Sequence, residues 1–273
     1  MIRQEKKMAF SINTNTTAMA ALRTMSATQA SLSHTQRQIE TGLKVAEPKD
    51  NPASFTIAQA MRGDISSLSA VSEGISFGQA TVSVANAGAL QISNILNDIS
   101  EKVTQAYNGG LDTSILQEEV DALLAQITNA VNTSSFNGVN MLDGVSPDMD
   151  VLTGLGGVTQ TIPTQDLRLA TLGLTGLDLT DPATAQTTVD NAEDLVGAAI
   201  TTLGTAANSL DTKAEFSQLL TDKLKEGLGI LVDANMAEAS ANLQALQTKE
   251  QLNIQSLSIA NSRPQSILQL FRN

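Results

Sequence analysis

One histidine, His34, and a carboxylate group made of Glu118, Glu119 and Asp121 are the residues of this chain best suited by type to acid–base work. A general acid or base needs a second polar group within hydrogen-bond reach to tune and orient it. His34 has no cysteine to pair with, because the chain contains none, and it falls on the polar side of a helical stripe. It reads as a solvated or neighbour-contacting residue. Glu118, Glu119 and Asp121 fill the gaps between apolar residues of another helical pattern, so they read as its wet face rather than as an acid/base pair. Gly154-Leu155-Gly156-Gly157 is a glycine-rich loop by composition, but it lacks the third glycine of a dinucleotide fingerprint and no helix follows it. Alternating residues on both sides make it a hairpin turn instead. Without cysteine there is no disulfide, thiol chemistry or thiolate-bound metal. No catalytic residue, cofactor or metal site is expected.

The pattern with most content is helical. Near the start, Leu22, Met25, Gln29, Leu32, Gln36, Ile39 and Leu43 recur in steps of three and four, an a/d seam sustained for about three heptads. From Met236 onward the pattern returns through Leu243, Leu246, Glu250, Asn253, Leu257, Ala260, Ile267 and Phe271. A helix of this kind gains most of its stability by burying its stripe against something else. Both termini must therefore find each other, or copies of the chain. Gln29, Gln36, Glu250 and Asn253 make both seams polar enough to pack weakly in isolation.

Composition agrees with layered helices. Only 3% of the 273 residues are aromatic, with no tryptophan, so a core must be built from Leu, Ile, Val and Ala. A formal charge of −12 offers no basic patch to neutralise phosphates, so no nucleic-acid partner is expected. No apolar run reaches about eighteen residues, so no membrane span is expected. Residues 1–8 are basic but lack the apolar core and cleavage site of a secretory signal.

Between the termini, Glu47-Pro48 and Asn51-Pro52 interrupt the first helix near Val45. Lys49, Asp50, Asn51 and Pro52 should form a corner, with helix resuming around Phe55. That helix runs to about Tyr107 despite Gly63, Gly74, Gly78 and Gly88, and Ser114 with Gln117 reads as the capping box of the next one. Alternating runs over 149–152, 158–162 and 167–174 mark the one clear β region, roughly 141–179. Asp181 and Pro182 then suit the N-cap and first position of a long helix reaching Leu231.

These segments resemble bacterial flagellin, the filament subunit of the flagellum. The motifs are Ile12-Asn13-Thr14-Asn15, the helix end Ile39-Glu40-Thr41-Gly42-Leu43-Lys44-Val45, the corner Lys49-Asp50-Asn51-Pro52-Ala53, Gly74-Ile75-Ser76, Ser135-Phe136-Asn137-Gly138-Val139, Met141-Leu142, and Ala260-Asn261-Ser262-Arg263-Pro264-Gln265-Ser266-Ile267-Leu268. The resemblance implies a mainly α fold, a long antiparallel coiled-coil helical hairpin with a small β-hairpin region. It divides the chain into an extension, 1–7, which departs from the family's usual start; an N-terminal region, 8–140, with an inner helix 10–46, corner 47–54 and outer-layer helices 55–132; the β region, 141–180; and a C-terminal region, 181–273, with an outer-layer helix 182–231 and an inner helix 234–271. Outer domains carried by longer relatives are absent.

The implied function is structural: a homopolymer forming the helical filament tube for swimming motility, with the hook–filament junction protein of the same family as the alternative. Implied partners are copies of itself, sister flagellins, the export apparatus and its chaperone, and the cap and junction proteins. The implied site is extracellular, reached by type III export without a cleaved signal and with the terminal helices unfolded. The filament-assembly seam would comprise Leu22, Met25, Leu32, Ile39, Leu43, Leu243, Leu246, Leu257, Ile267 and Phe271. In family members that stimulate an animal Toll-like receptor, an Arg and a Leu four residues apart lie on the helix matching 96–106. Aligned on Gln105-Ala106-Tyr107-Asn108-Gly109, those positions hold Asp98 and Lys102; aligned on Gly88-Ala89-Leu90, they hold Ile99 and Val103. Glu119 matches the family's nearby acidic contact.

Overall fold

A computed structural model describes residues 15–108 and 112–270, with side chains as far as Ser262. The elements in order are α1 (Thr16–Thr41), α2 (Pro52–Ala106), α3 (Thr113–Thr133), β1 (Ser135–Phe136), β2 (Val139–Asn140), β3 (Met149–Gly154), β4 (Val158–Ile162), α4 (Pro182–Val232) and α5 (Met236–Leu270). The chain falls into two compact units, one made of residues 1–62 with 226–273 and the other of 63–225.

In the first unit α1 and α5 lie against each other. Asn15 Nδ2 donates to the Ala260 carbonyl at 2.8 Å and Asn253 Nδ2 donates to Thr28 Oγ1 at 2.9 Å. Leu43 bridges Asp233 in antiparallel sense. Rising numbers on one helix meet falling numbers on the other, so the pair is antiparallel. The expected helix end moves: α1 stops at Thr41 rather than near Val45, because Gly42 takes the left-handed conformation (φ 72°) and its N–H bonds Gln38 O at 2.9 Å. The chain then turns extended and clips onto the α4–α5 link, with Lys44 N–H to Val232 O at 2.7 Å and Ala234 N–H to Gly42 O at 2.8 Å. Val45, Ala58 and Val232 form a small apolar cluster beneath this clip.

The corner is tighter than expected, since α2 starts at Pro52, three residues before Phe55. A proline at the first helical position lacks only an N–H that would go unpaired anyway. Asn51 caps it, accepting the Ser54 N–H at 3.1 Å.

In the second unit, residues 63–106 of α2, α3 and residues 182–225 of α4 share one aliphatic core with the β region. Ile75, Ile92, Leu96, Ile99 and Ile127 are among its fully buried side chains. The cap of α3 is Asp112, which accepts the Ser114 N–H at 3.0 Å, rather than a Ser114–Gln117 box. Gln117 instead ties α3 to the loop before α4, donating to Leu177 O at 2.8 Å and accepting from Leu179 N–H at 2.9 Å.

The β region begins earlier than expected. β1 and β2 pair antiparallel across Asn137 (φ 48°) and Gly138 (φ 83°), a two-residue turn that needs left-handed backbone at both positions. The expected hairpin forms, with β3 paired antiparallel to β4 and a register irregularity between Leu152 and Gly154. The third alternating run, 167–174, is turns rather than strand. Its Leu167, Leu172 and Leu174 are buried as plugs in the aliphatic core.

Candidate assembly surface

On α1, Ala18, Thr28 and Thr35 are buried and Ala21, Met25, Leu32 and Ile39 half-buried. Spacing of three and four residues makes these one coiled-coil line. The line facing α5 is therefore not the expected one. It shares Met25, Leu32 and Ile39 with it, but Ala21, Thr28 and Thr35 stand where Leu22, Gln29 and Gln36 were expected. Leu22 is 52% exposed, and Gln29 and Gln36 are exposed as well. Small residues let the two helices approach, and their hydroxyls find partners: Thr28 meets Asn253 across the seam. The sequence signal for Leu22 was its size, and size alone does not distinguish two adjacent stripes of equal period. Leu43 leaves the helical line altogether, half-buried in the clip beside Asp233.

On α5, Ala239 and Ala260 are buried, and Leu243, Leu246, Glu250, Asn253 and Leu257 are half-buried. The side chain of Ile267 and all of Phe271 lie outside the described residues. Beside these packed lines run others that the pair leaves open. Met19 and Leu22 on α1, and Leu252 and Ile259 on α5, are large exposed apolar side chains spaced along helical faces.

The corner is held by one carboxylate. Asp50 accepts N–H groups from Glu47 at 3.0 Å and Ala46 at 3.1 Å, and His34 Nε2 lies 3.5 Å from it. The Glu47 N–H above all, with the Ala46 N–H and nearby His34 and Arg37, holds the Asp50 carboxyl below the usual range. Lys49 pairs with Glu47. His34 thus has a carboxylate neighbour that the sequence did not reveal, 16 residues downstream across the turn; its arrangement is that of a corner brace.

In the second unit, Asp98 is exposed, Lys102 is half-buried, and Ile99 and Val103 are wholly buried. The alignment that placed Ile99 and Val103 at the receptor-facing positions would point both into the core. Lys102 Nζ lies 2.6 Å from Glu119 Oε2. Glu118 and Asp121 are exposed on α3.

Comparison with known proteins decides what such a chain is. The bacterial flagellin N-terminal helical region matches residues 12–146 and the C-terminal helical region matches residues 184–271. Flagellin FljM of Caulobacter vibrioides is 39% identical over 96% of this chain and 98% of its own length. The chain belongs to the bacterial flagellin family. Flagellin FljO of the same organism is 38% identical over the same shares of both chains. A solved structure from Vibrio parahaemolyticus, assigned as a flagellar hook-associated protein, has a TM-score of 0.56 over 67% of this chain and 99% of its own, at 15% identity. That likeness concerns the fold. As a flagellin, this chain is a structural subunit of the flagellar filament, polymerising into its helical tube. Flagellins are structural proteins, and the family's place is the extracellular filament. Among the described residues no helix is long and apolar enough to cross a membrane.

Proposed function

We propose that the subunit polymerises by laying the open faces of α1 and α5 against the same helices of neighbouring copies. The observation that carries this reading is the double striping of both helices: one line is used within the chain, and a second, with Met19 and Leu22 or Leu252 and Ile259, is left exposed. Neighbours would cover Leu22 and the uncovered parts of Met25, Leu32, Ile39, Leu243, Leu246 and Leu257, with Ile267 and Phe271 continuing the surface. A contact between two different faces does not close on itself, so it builds an open helical polymer.

The remaining partners follow from the same reading. The subunit leaves the cell through the flagellar export apparatus without a cleaved signal, escorted by a chaperone, its weakly packed terminal helices extended. It assembles under the cap, beyond the junction proteins. Two Caulobacter flagellins of nearly equal likeness support co-assembly with sister flagellins. The chain acts as a building element, with no enzymatic step.

The test is negative-stain microscopy of purified protein with Leu22→Asp and Ile259→Asp variants. Wild type forms tubes, and both variants keep the wild-type helical circular dichroism yet form none. Normal tubes from both variants would overturn the role of these faces.

A further inference from the structure

The second unit carries most of the chain's negative charge. Residues 63–225 hold 20 of the 28 acidic and 5 of the 16 basic side chains, a formal charge of −15. Copies of such a unit repel one another wherever their acidic surfaces meet. Contacts between copies therefore belong where the charge is least or changes sign.

The charge is unevenly placed along the unit. Gln117 bonds to Leu177 and Leu179, and Gln186 Nε2 donates to Ser100 Oγ at 3.3 Å. These bonds gather residues 98–121 and 178–194 at one end. They contain eleven carboxylates and a single base, Lys102, already held by Glu119. Gln79 Nε2 donates to Asp211 Oδ1 at 2.6 Å and marks the other end, about 30 Å away along α2 at the usual helical rise. There α4 carries three lysines, Lys213, Lys223 and Lys225, against Asp211, Glu215 and Asp222. On this balanced stretch Phe216 is 62% and Leu219 56% exposed. Three residues apart, they form one apolar spot on an otherwise polar helix face. Leu195 is an exposed apolar side chain at the acidic end, next to Asp194.

We propose that the Phe216–Leu219 face of α4 docks on the acidic start of α4 in a second copy, where Leu195 meets the apolar spot and Asp190 and Asp194 meet the lysines. This rests on the filament reading and names a second contact, separate from the α1/α5 faces. The acidic end repels its own image, so two copies cannot pair there symmetrically. It attracts only the lysine-bearing end, and a contact between unlike ends propagates as an open stack. The state of the acidic end agrees. Burial, with Asp190 and Asp194 alongside, raises the Glu193 carboxyl. Among the described residues no ion pair reaches any of the three.

Seeded polymerisation of the full chain, read by sedimentation and microscopy, tests it. Lys213→Glu with Lys225→Glu should raise the monomer concentration left beside filaments roughly tenfold, and Asp190→Lys with Asp194→Lys should do the same. The two variants mixed in equal amounts should assemble together near the wild-type concentration, since each end then faces its opposite. That rescue requires both variants to be folded, and Phe216→Ser with Leu219→Ser gives an independent loss. Wild-type assembly of the lysine variant alone, or no gain on mixing, overturns the proposal. Failure of wild type to form tubes would instead sink the filament reading.

Discussion

Lys102 Nζ sits 2.6 Å from Glu119 Oε2 and joins α2 to α3 through an ion pair. Its hydrogen bond with Glu119, helped by the charges of Glu119, Glu101 and Asp98, raises the Lys102 ammonium above its ordinary pKa. The ammonium is engaged within the chain, and exposed Asp98 stands one turn earlier.

This arrangement predicts weak stimulation of the animal Toll-like receptor that detects many flagellins. The resemblance puts an Arg and a Leu at 98 and 102 in stimulatory relatives. Here a carboxylate replaces the Arg, reversing the charge offered to a partner, and a lysine replaces the apolar contact. An interfacial Arg can be worth about 2 kcal/mol or more. A reporter-cell dose response should lie well below that of a stimulatory flagellin and rise in the Asp98→Arg, Lys102→Leu variant. An unmodified protein as potent as a stimulatory flagellin would refute the prediction.

Leu32→Asp and Leu257→Asp each place a carboxylate in the half-buried α1/α5 line, at a cost of several kcal/mol without a partner. Both should abolish polymerisation while leaving the aliphatic core of residues 63–225 folded. Amide exchange should show α1 and α5 weakly protected in dilute monomer and strongly protected in filaments. Strong protection of both helices in dilute monomer would count against assembly-linked ordering.

Gly88 and Gly63 both lie inside α2 but should respond oppositely to alanine. A Cβ at Gly88 would come within 2.0 Å of Ser134 Oγ and 2.9 Å of Leu142 Cδ1, whereas nothing lies within 4 Å of one at Gly63. Overpacking of a close contact costs about 1–3 kcal/mol, more than the ~1 kcal/mol gain in helix propensity. Gly88→Ala should lower the thermal midpoint, and Gly63→Ala should raise it slightly. Equal shifts in one direction would show that the contact at 88 does not decide the outcome.

Asp166 anchors the loop after β4. It accepts from Arg168 Nε at 2.8 Å and Arg168 Nη2 at 2.6 Å, and from Thr171 Oγ1 at 2.6 Å. Arg168 foremost, then Thr171, holds its carboxyl far below the usual range. A depressed folded value means the stabilisation is fully present above about pH 4, the ordinary carboxylate value, and fades as pH falls further through the folded value. Asp166→Asn should therefore lower the thermal midpoint at pH 7 and flatten its fall below pH 4. An unchanged acid limb would assign that fall to other carboxylates.

Much of this was written in local pattern. The α4 start at Asp181-Pro182, the β3–β4 hairpin about its glycines and the α5 line through Leu243, Leu246 and Leu257 follow from periods and caps that each act over a few residues. The hairpin about Asn137-Gly138 was equally local, though its strands are too short to show alternation. The misplaced expectations have non-local causes. Ser114 and Gln117 have the spacing of a capping box, but Asp112 is the better acceptor and the Gln117 amide is drawn to Leu177 and Leu179, 60 and 62 residues away. The run 167–174 alternates like a strand but has no partner edge, so it turns and buries its leucines.

By itself the sequence determined a helix-rich flagellin with two weakly apolar, coiled-coil termini, because helical period, turn chemistry and family motifs are properties of neighbouring residues. Only the tertiary structure decided which of two adjacent α1 stripes faces α5. Both repeat at the same interval, and the choice rests on how closely Ala21, Thr28 and Thr35 let the helices approach and on Asn253 reaching Thr28. It likewise turned Leu43 from a seam residue into part of a strand-like clip with Asp233, since that backbone pairing joins segments about 190 residues apart.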